Sequence, residues 1–453
     1  MADVAPVFLA LAALTLAGFI AGRIFERTRF PDIPLLLALG LLVGPVNRWA
    51  AGHGFGSRDL AAALDPAKLH DAAPYIAGLA LVVLLFDSGM QLDFTAFRRS
   101  LGPATLHTFP IFLLTVVALT AVGHYLLGMP FLVAAALAIA LVNVDQSVSA
   151  GILKRMRIGD DMRSIYFVEM ALYDLLSIPI LVALIKVAGG LDAGFSMGEA
   201  LRSFAAMASV SFAVGLAGGI FWLYALRRLH HHPNSYMLTF AMTLAVYGVS
   251  QVLGGSGALS ILLFGLLVGN RTALLRRFGR IRDVDAEHEK VQLFHDEITF
   301  FVRTLFFLFL GISFRLGADA RWPAGSPLPT WLGGDVLAFI AALLLLGAIL
   351  LARYVPVRLS TISDGRRSAL FPVFGRGLDT AVLVTLPFLA AGYVPGTKYY
   401  ALFSPWEAVV TNLALLTILL TVLASSLLVF VRERALGPAP PPAHETVVRP
   451  RKA

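Results

Sequence analysis

The stretch "ALVNVDQSVSAG", residues 140–151, interrupts an apolar run that starts at Phe131. Asn143, Asp145, Gln146, Ser147 and Ser149 stand where hydrocarbon neighbours are expected, and Gly151 follows them. A charge at the centre of a bilayer costs about 2.5–3.5 kcal/mol on insertion scales, so an ionisable residue there points to function. Non-helical backbone survives at that depth only when it lines a cavity or is buried in protein. The stretch therefore reads as the unwound middle of a membrane helix. Asp145 then either caps backbone N–H groups freed by the break or forms part of a polar site, and the two roles are compatible.

The rest of the chain supports a membrane setting. Of its 453 residues, 58% are hydrophobic and 14% charged, and the mean hydropathy is +0.79. Soluble domains carry about 25% charged residues. An apolar window of roughly 17–25 residues suits a hydrocarbon core of about 30 Å. Thirteen such windows are predicted: 4–24, 32–48, 73–92, 102–127, 130–154, 162–187, 200–226, 235–252, 256–270, 295–315, 331–354, 368–391 and 404–431. The first lacks a basic leader and reads as a retained helix. The fifth and twelfth are broken by polar residues and glycine. The fold class is all-α and polytopic.

The net charge of +8 does not indicate a nucleic-acid partner, because the basic residues gather in short loops between windows. With the N-terminus outside, inward loops and the tail hold 26 of the 36 lysines and arginines, Arg353 among them. This bias predicts an outer N-terminus and a cytoplasmic C-terminus. The segment 271–294 reads either as a basic surface helix or as a solvated linker. The Pro-rich tail, 432–453, is expected to be disordered. With no cysteine, disulfides and thiol chemistry are excluded. His107 and His124 are isolated and residues 230–232 form a histidine loop cluster, so no resident metal or other cofactor is expected. No nucleophile–base set or phosphate loop marks an enzyme.

Six windows, a linker helix at 200–226 and six more windows form a natural division, with repeats at 1–187 and 235–431. An offset of seven helices makes the halves inverted and matches the fifth span to the twelfth. Broken helices at corresponding positions of inverted repeats point to a transport site at the midplane.

Few charged or amide groups lie inside the windows. The sixth span, "YFVEMALYDLLSIPIL", carries Glu169 and Asp174; the tenth carries Arg303; the twelfth, "FGRGLDTAVLVTLP", carries Arg376 and Asp379. Glu169 and Asp174 are five residues apart, about 140° around a helix. One can face the fifth span while the other meets a different partner such as Arg376. A carboxylate without a basic partner in a low-dielectric cavity holds a proton more readily than in water. A cation with enough oxygen ligands can displace that proton. One group serving two competing ligands in turn is the minimum machinery of antiport, and a single such group implies one-for-one exchange. Blander roles stand beside these. Asp174 can be a paired structural acid, and Glu169–Arg376 a structural pair. Asp379 can be a local mate of Arg376. Arg303 can pair with Glu297 or Asp296 or snorkel. Asp87 and Asp93 read as cytoplasmic-interface residues.

Seven stretches in register resemble the monovalent cation:proton antiporters, the NhaP-like branch of the sodium/proton exchangers. They are "FPDIPLLLALGLLVGPV", "LVVLLFDSGMQLD", "VNVDQSVSAGILKRMRI", "VEMALYDLL", "GALSILLFGLLVGN", "HDEITFFVRTLFFLFLGISF" and "FGRGLDTAVLVTLP". The resemblance implies crossed broken helices in a core that moves against a dimerisation domain, and a homodimer. It implies that Asp174 binds cation and proton in competition, with Asp145, Val144 (through its carbonyl) and Tyr173 beside it. It implies a Glu169–Arg376 ion pair shaping the site, with Asn143, Ser147, Asp379 and Arg303 further out. The chain departs from the family motifs at Val144-Asp145-Gln146, where Thr-Asp-Pro is usual. It departs again at Met170 and Tyr173, where Ser and Asn are usual, so side-chain oxygens are lost. Exchange of Na⁺ or K⁺ for H⁺ in a bacterial inner membrane is the leading expectation. A cation-coupled organic-anion symporter, with Arg376 on the substrate carboxylate, and a cation channel are the alternatives.

Overall fold

The structure is a computed structural model. It describes residues 32–55, 73–91, 94–153, 156–190, 197–229, 235–271, 284–314, 334–359, 371–390 and 392–436, with isolated positions between 12 and 23 and at 274 and 322. All regular structure among the described residues is helical. In chain order the helices are α1 (Asp32–Leu41), α2 (Asn47–Gly52), α3 (Ala73–Gln91), α4 (Phe94–Ala121), α5 (Phe131–Leu141), α6 (Gln146–Leu153), α7 (Asp160–Gly189) and α8 (Met197–Leu229). They continue with α9 (Ser235–Val252), α10 (Gly257–Gly269), α11 (Val284–Ser313), α12 (Gly334–Leu359), α13 (Leu378–Leu389), α14 (Lys398–Phe403) and α15 (Glu407–Ala435).

Six stretches are each long and apolar enough to cross a membrane: Pro34–Gly52, Thr105–Leu126, Ile165–Gly189, Ala205–Leu226, Gly334–Arg358 and Lys398–Ala435. The first passes from α1 to α2 through a π-helical stretch, Leu42–Val46, that contains Pro45. Proline has no N–H to close the α-helical bond, and the wider turn absorbs the defect. Helices α5 and α13 are too short to cross alone. At 1.5 Å per residue each spans about 17 Å, roughly half a hydrocarbon core.

Each predicted span from the second to the thirteenth has its helix or broken helix. The fifth is α5 and α6 with non-helical residues 142–145 between them. The twelfth is non-helical at 371–377 and then forms α13. Of the segment 271–294, residues 284–294 join α11 as its first turns instead of forming a separate surface helix. The first span, the remainder of that segment, the 230–232 histidines and the tail beyond 436 lie wholly or largely outside the described residues.

Lipid offers no hydrophobic drive for helices to associate, so close backbone approach does the work. Gly40 of α1 lies against Leu308 and Gly311 of α11. Gly265 and Gly269 of α10 lie against the backbone of α3 at Phe86, Gly89 and Met90. Gly215 brings α8 onto Ser260 of α10. Serines then tie this corner: Ser260 Oγ donates to the Ser211 carbonyl (2.9 Å) and is within hydrogen-bond distance of Ser250 Oγ (2.7 Å), and the Ser256 N–H donates to Ser211 Oγ (2.6 Å). Phe109, Leu113, Val117, Phe339, Leu343 and Leu351 are exposed on α4 and α12, as lipid-facing side chains are.

Gly265→Ala and Gly311→Ala are expected to destabilise the detergent-solubilised protein by about 1–3 kcal/mol, since the new methyl meets neighbouring backbone. A methyl at Gly347 of α12 meets nothing within 4 Å. Gly347→Ala is therefore expected to be neutral or stabilising by up to about 1 kcal/mol. Melting curves of the three variants decide it; equal melting would remove close packing as the reason for the first two glycines.

Candidate cation site

The two helix breaks meet each other. The Asp145 N–H donates to the Gly375 carbonyl at 3.0 Å. Asp145 Oδ1 accepts from the Val148 N–H at 2.9 Å, capping the start of α6. Asp145 Oδ2 accepts from the Leu378 N–H at 2.8 Å, capping the start of α13. One carboxylate thus serves two helix N-termini, each carrying roughly half a positive charge. The fit requires Gly377: a Cβ there would overlap the Asp145 carboxylate. Its φ of −157° lies outside the left-handed region, and the space beside the carboxylate is what requires glycine. Gly375 is confined in the same way by Val148.

The non-helical segment before α13 is held along α15. The Phe374 and Arg376 N–H groups donate to Ser425 Oγ (3.4 Å) and Thr421 Oγ1 (3.2 Å), and Ser425 donates to the Pro372 carbonyl. Arg376 is buried, with Nε on the Leu141 carbonyl at 2.8 Å and Nη1 on the Phe374 carbonyl. Leu141 is the last residue of α5, so the guanidinium meets the negative end of that half-helix.

The expected Glu169–Arg376 ion pair is replaced by another. Glu169 Oε1 accepts from Arg353 Nη1 at 2.7 Å, and Oε2 from Nη2 at 3.4 Å. Arg353 also reaches the Phe371 carbonyl through Nε at 3.2 Å. It lies near the end of α12 and is 2% exposed, although its place beside a basic loop marked it as an inward topology charge. The physical reason is supply: Arg376 is consumed by carbonyls, and α12 brings a second guanidinium to α7. Tyr173 departs from its expected place too. Its hydroxyl donates to Glu169 Oε1 at 3.0 Å and not to Asp174. Its ring stacks on Phe112, with centroids 6.2 Å apart. Buried His107 of α4 lies within electrostatic reach of this Glu169–Arg353 pair.

Asp174 faces the break between α5 and α6. Asn143 Nδ2 donates to Asp174 Oδ1 at 3.0 Å, and Asn143 Oδ1 accepts from Ser177 Oγ at 2.7 Å. The serine, one turn beyond Asp174, thereby turns the amide's donor toward the carboxyl. Asp174 is 2% exposed, and its Oδ2 has no hydrogen-bond partner. Ser88 of α3 stands beside this carboxyl without closing a bond to Oδ2. Val144 is buried within the break. Asp379, in the first turn of α13, is buried within electrostatic reach of Asp174, Asp145 and Asp87. It is not the mate of Arg376, whose bonds run to carbonyls. Arg303 of α11 is half-buried, and its charge acts on Asp145. The Ser147 side chain and Asp93 lie outside the described residues, and among those residues no group of three metal-ligating side chains occurs.

Broken helices crossed at a buried aspartate, with an acid on the neighbouring helix that has one unbonded oxygen, set the chain against known proteins. A family model, sodium/hydrogen exchanger, transmembrane, matches residues 11–432. The chain belongs to the sodium/hydrogen exchanger family. It is 27% identical over 402 residues to the K⁺/H⁺ antiporter NhaP2 of Shewanella sp. (strain MR-4), covering 87% of this chain and 62% of that protein. It is 26% identical over 298 residues to the Na⁺/H⁺ antiporter NhaS2 of Synechocystis sp., covering 63% of this chain and 52% of that one. This exchanger chain thus spans about three fifths of the length of the NhaP2 relative. Its fold resembles that of the sodium proton antiporter MjNhaP1 from Methanocaldococcus jannaschii, with a TM-score of 0.72 at 20% identity over 95% of this chain and 100% of that one.

Arg353→Met leaves Glu169 buried without its cation and is expected to cost about 3–5 kcal/mol. Arg376→Met removes carbonyl bonds but no ion pair. In double-mutant cycles with Glu169→Gln, read by chemical unfolding, the Arg353 coupling is expected to exceed the Arg376 coupling by about 1 kcal/mol or more. The opposite order would restore the pairing anticipated from sequence.

Proposed function

We propose that the chain exchanges Na⁺ or K⁺ for H⁺ across a membrane by alternating access, with Asp174 binding cation and proton in turn. The observation that carries this reading is Asp174 itself: a buried carboxyl with one neutral amide donor, no basic partner among the described residues and one unbonded oxygen. An anionic oxygen in that setting is costly unless it takes up a proton or a cation. Either ligand satisfies it and the two exclude each other, which is the coupling that antiport needs. Family membership and the names of the relatives support the same class of transport.

Asp145 is the wall of this site. Both of its oxygens are held by backbone N–H groups, so it contributes a fixed negative field while Asp174 changes ligand. The Val144 carbonyl belongs to the unwound backbone, and we assign it as a neutral ligand oxygen. The symporter alternative needs a guanidinium free for a substrate carboxylate, and that of Arg376 is engaged by carbonyls. We further assign the protein to a bacterial inner membrane with an outer N-terminus, on the loop-charge bias and the bacterial relatives. We read the two halves around α8 as inverted repeats and the assembly as a homodimer.

The test is a proteoliposome carrying the full chain and an internal pH dye, given an outward or inward cation gradient. Wild type is expected to move protons against Na⁺ or K⁺, and Asp174→Asn to fall to the level of empty vesicles. Full cation-driven proton flux in Asp174→Asn would sink the mechanism, and a series of Li⁺, Na⁺, K⁺ and Rb⁺ gradients reads the selectivity.

A further inference from the structure

Among the described residues only two buried carboxylate oxygens lack a hydrogen-bond partner, Asp174 Oδ2 and Asp379 Oδ1. Their side chains belong to different helices, α7 and α13, and both residues are at least 97% buried. Asp379 lies within electrostatic reach of Asp174. The residues on either side of Asp379 touch the break that Asp174 faces, Leu378 through Asp145 and Thr380 beside the Asn143 carbonyl, so the two unsatisfied acids belong to one polar crossing.

No neighbouring group removes the need for a positive ligand there. Asp145 has both oxygens committed to backbone donors. Arg376, three residues before Asp379, has its guanidinium on the Leu141 and Phe374 carbonyls. Arg353 is spent on Glu169. The neutral oxygens around Asp174 are also few. Val144 and Met170 bring no side-chain oxygen, and the Tyr173 hydroxyl is turned to Glu169. Ser88 stands beside Asp174, and the Thr380 hydroxyl lies 3.5 Å from the Asn143 carbonyl. Asn143 presents its NH₂ to Asp174, and a donor repels a cation.

We propose that Asp379 is a direct ligand of the transported cation, which is held between Asp174 Oδ2 and Asp379 Oδ1 with Ser88 and Thr380 as neutral neighbours. The placement is secured through the crossing. Asp379 follows Leu378, the residue whose N–H is pinned by Asp145, so the start of α13 delivers the second carboxylate to a fixed position. A monovalent cation bridging two acids from different helices also links α7 to α13 while it is bound. This inference rests on the exchanger reading and adds a ligand to its site.

The experiment compares wild type, Asp379→Asn and Asp379→Glu, each full-length. Proteoliposomes give the half-saturating Na⁺ and K⁺ concentrations, and melting in detergent with and without 100-fold excess cation over that value gives binding without turnover. Loss of a charged buried ligand is expected to raise the half-saturating concentration at least about tenfold in Asp379→Asn. The same variant is expected to lose the cation-dependent rise in melting temperature while melting like wild type without cation. Asp379→Glu is expected to recover part of the affinity and to shift the Na⁺-to-K⁺ preference at least about threefold, because its carboxyl sits one methylene further out. Wild-type half-saturation and wild-type cation stabilisation in Asp379→Asn would overturn the role. If Asp379→Asn does not fold, an unchanged preference in Asp379→Glu overturns it and a shifted one supports it. A wild type without exchange would fail the exchanger reading itself, whereas a working wild type matched by both variants fails only Asp379.

Discussion

The structure depends on one carboxylate holding two helix ends. A membrane helix that stops at the midplane exposes N–H groups which no lipid can satisfy. Asp145 answers for α6 through Val148 and for α13 through Leu378. Two N-terminal dipoles of about half a charge each face one full negative charge, so the crossing is close to neutral on that side. The opposite end of α5 is met by Arg376 on the Leu141 carbonyl. The residues that look most like transport machinery in the two breaks are thus largely occupied in permitting the breaks to exist. Gly377 follows from the same constraint, since any side chain there would displace the carboxylate.

The acids of α7 are sorted by what is left over. Glu169 receives Arg353 and the Tyr173 hydroxyl, and so becomes a satisfied buried ion pair joining α7 to α12. Asp174, about 140° away on the helix, faces the break and receives one amide N–H. The same helix carries an acid paired with a guanidinium on one face and an acid without a basic partner among the described residues on the other. What separates them is whether a neighbouring helix brings a guanidinium.

Much of this was legible in the sequence, and the failures share a cause. The break at 142–145 showed itself because polar residues inside a hydrophobic run have no cheap explanation. The two faces of α7 followed from helical geometry alone. The wrong partner for Glu169 came from treating Arg353 as a topology charge. At the end of a span, an arginine that snorkels and one that turns inward have the same local sequence, "LLARYVP", and only the packing of α12 on α4 and α15 decides between them. Tyr173 failed for a related reason. Its neighbour Asp174 lies in the site, but one residue is about 100° around a helix, which turned the hydroxyl to Glu169. The start of α11 was placed eleven residues late because a hydropathy window ends where charge begins, while "AEHEKVQL" continues readily as helix.

The arrangement also shows why the site is not more stable than it is. A basic side chain across from Asp174, like the one opposite Glu169, would satisfy its free oxygen and strengthen the contact between α7 and its neighbour. It would also fill the place that the proposed mechanism reserves for a cation. Asn143 is the compromise: neutral, held by Ser177, and able to steady one oxygen while leaving the other open. The cost of that open oxygen is carried by the rest of the crossing, where the Asp145 carboxylate, the Arg376 guanidinium and the Glu169 carboxylate all have partners. The instability stays local: among the described residues the two buried carboxylate oxygens without a partner belong to Asp174 and Asp379, on α7 and α13, within electrostatic reach of each other.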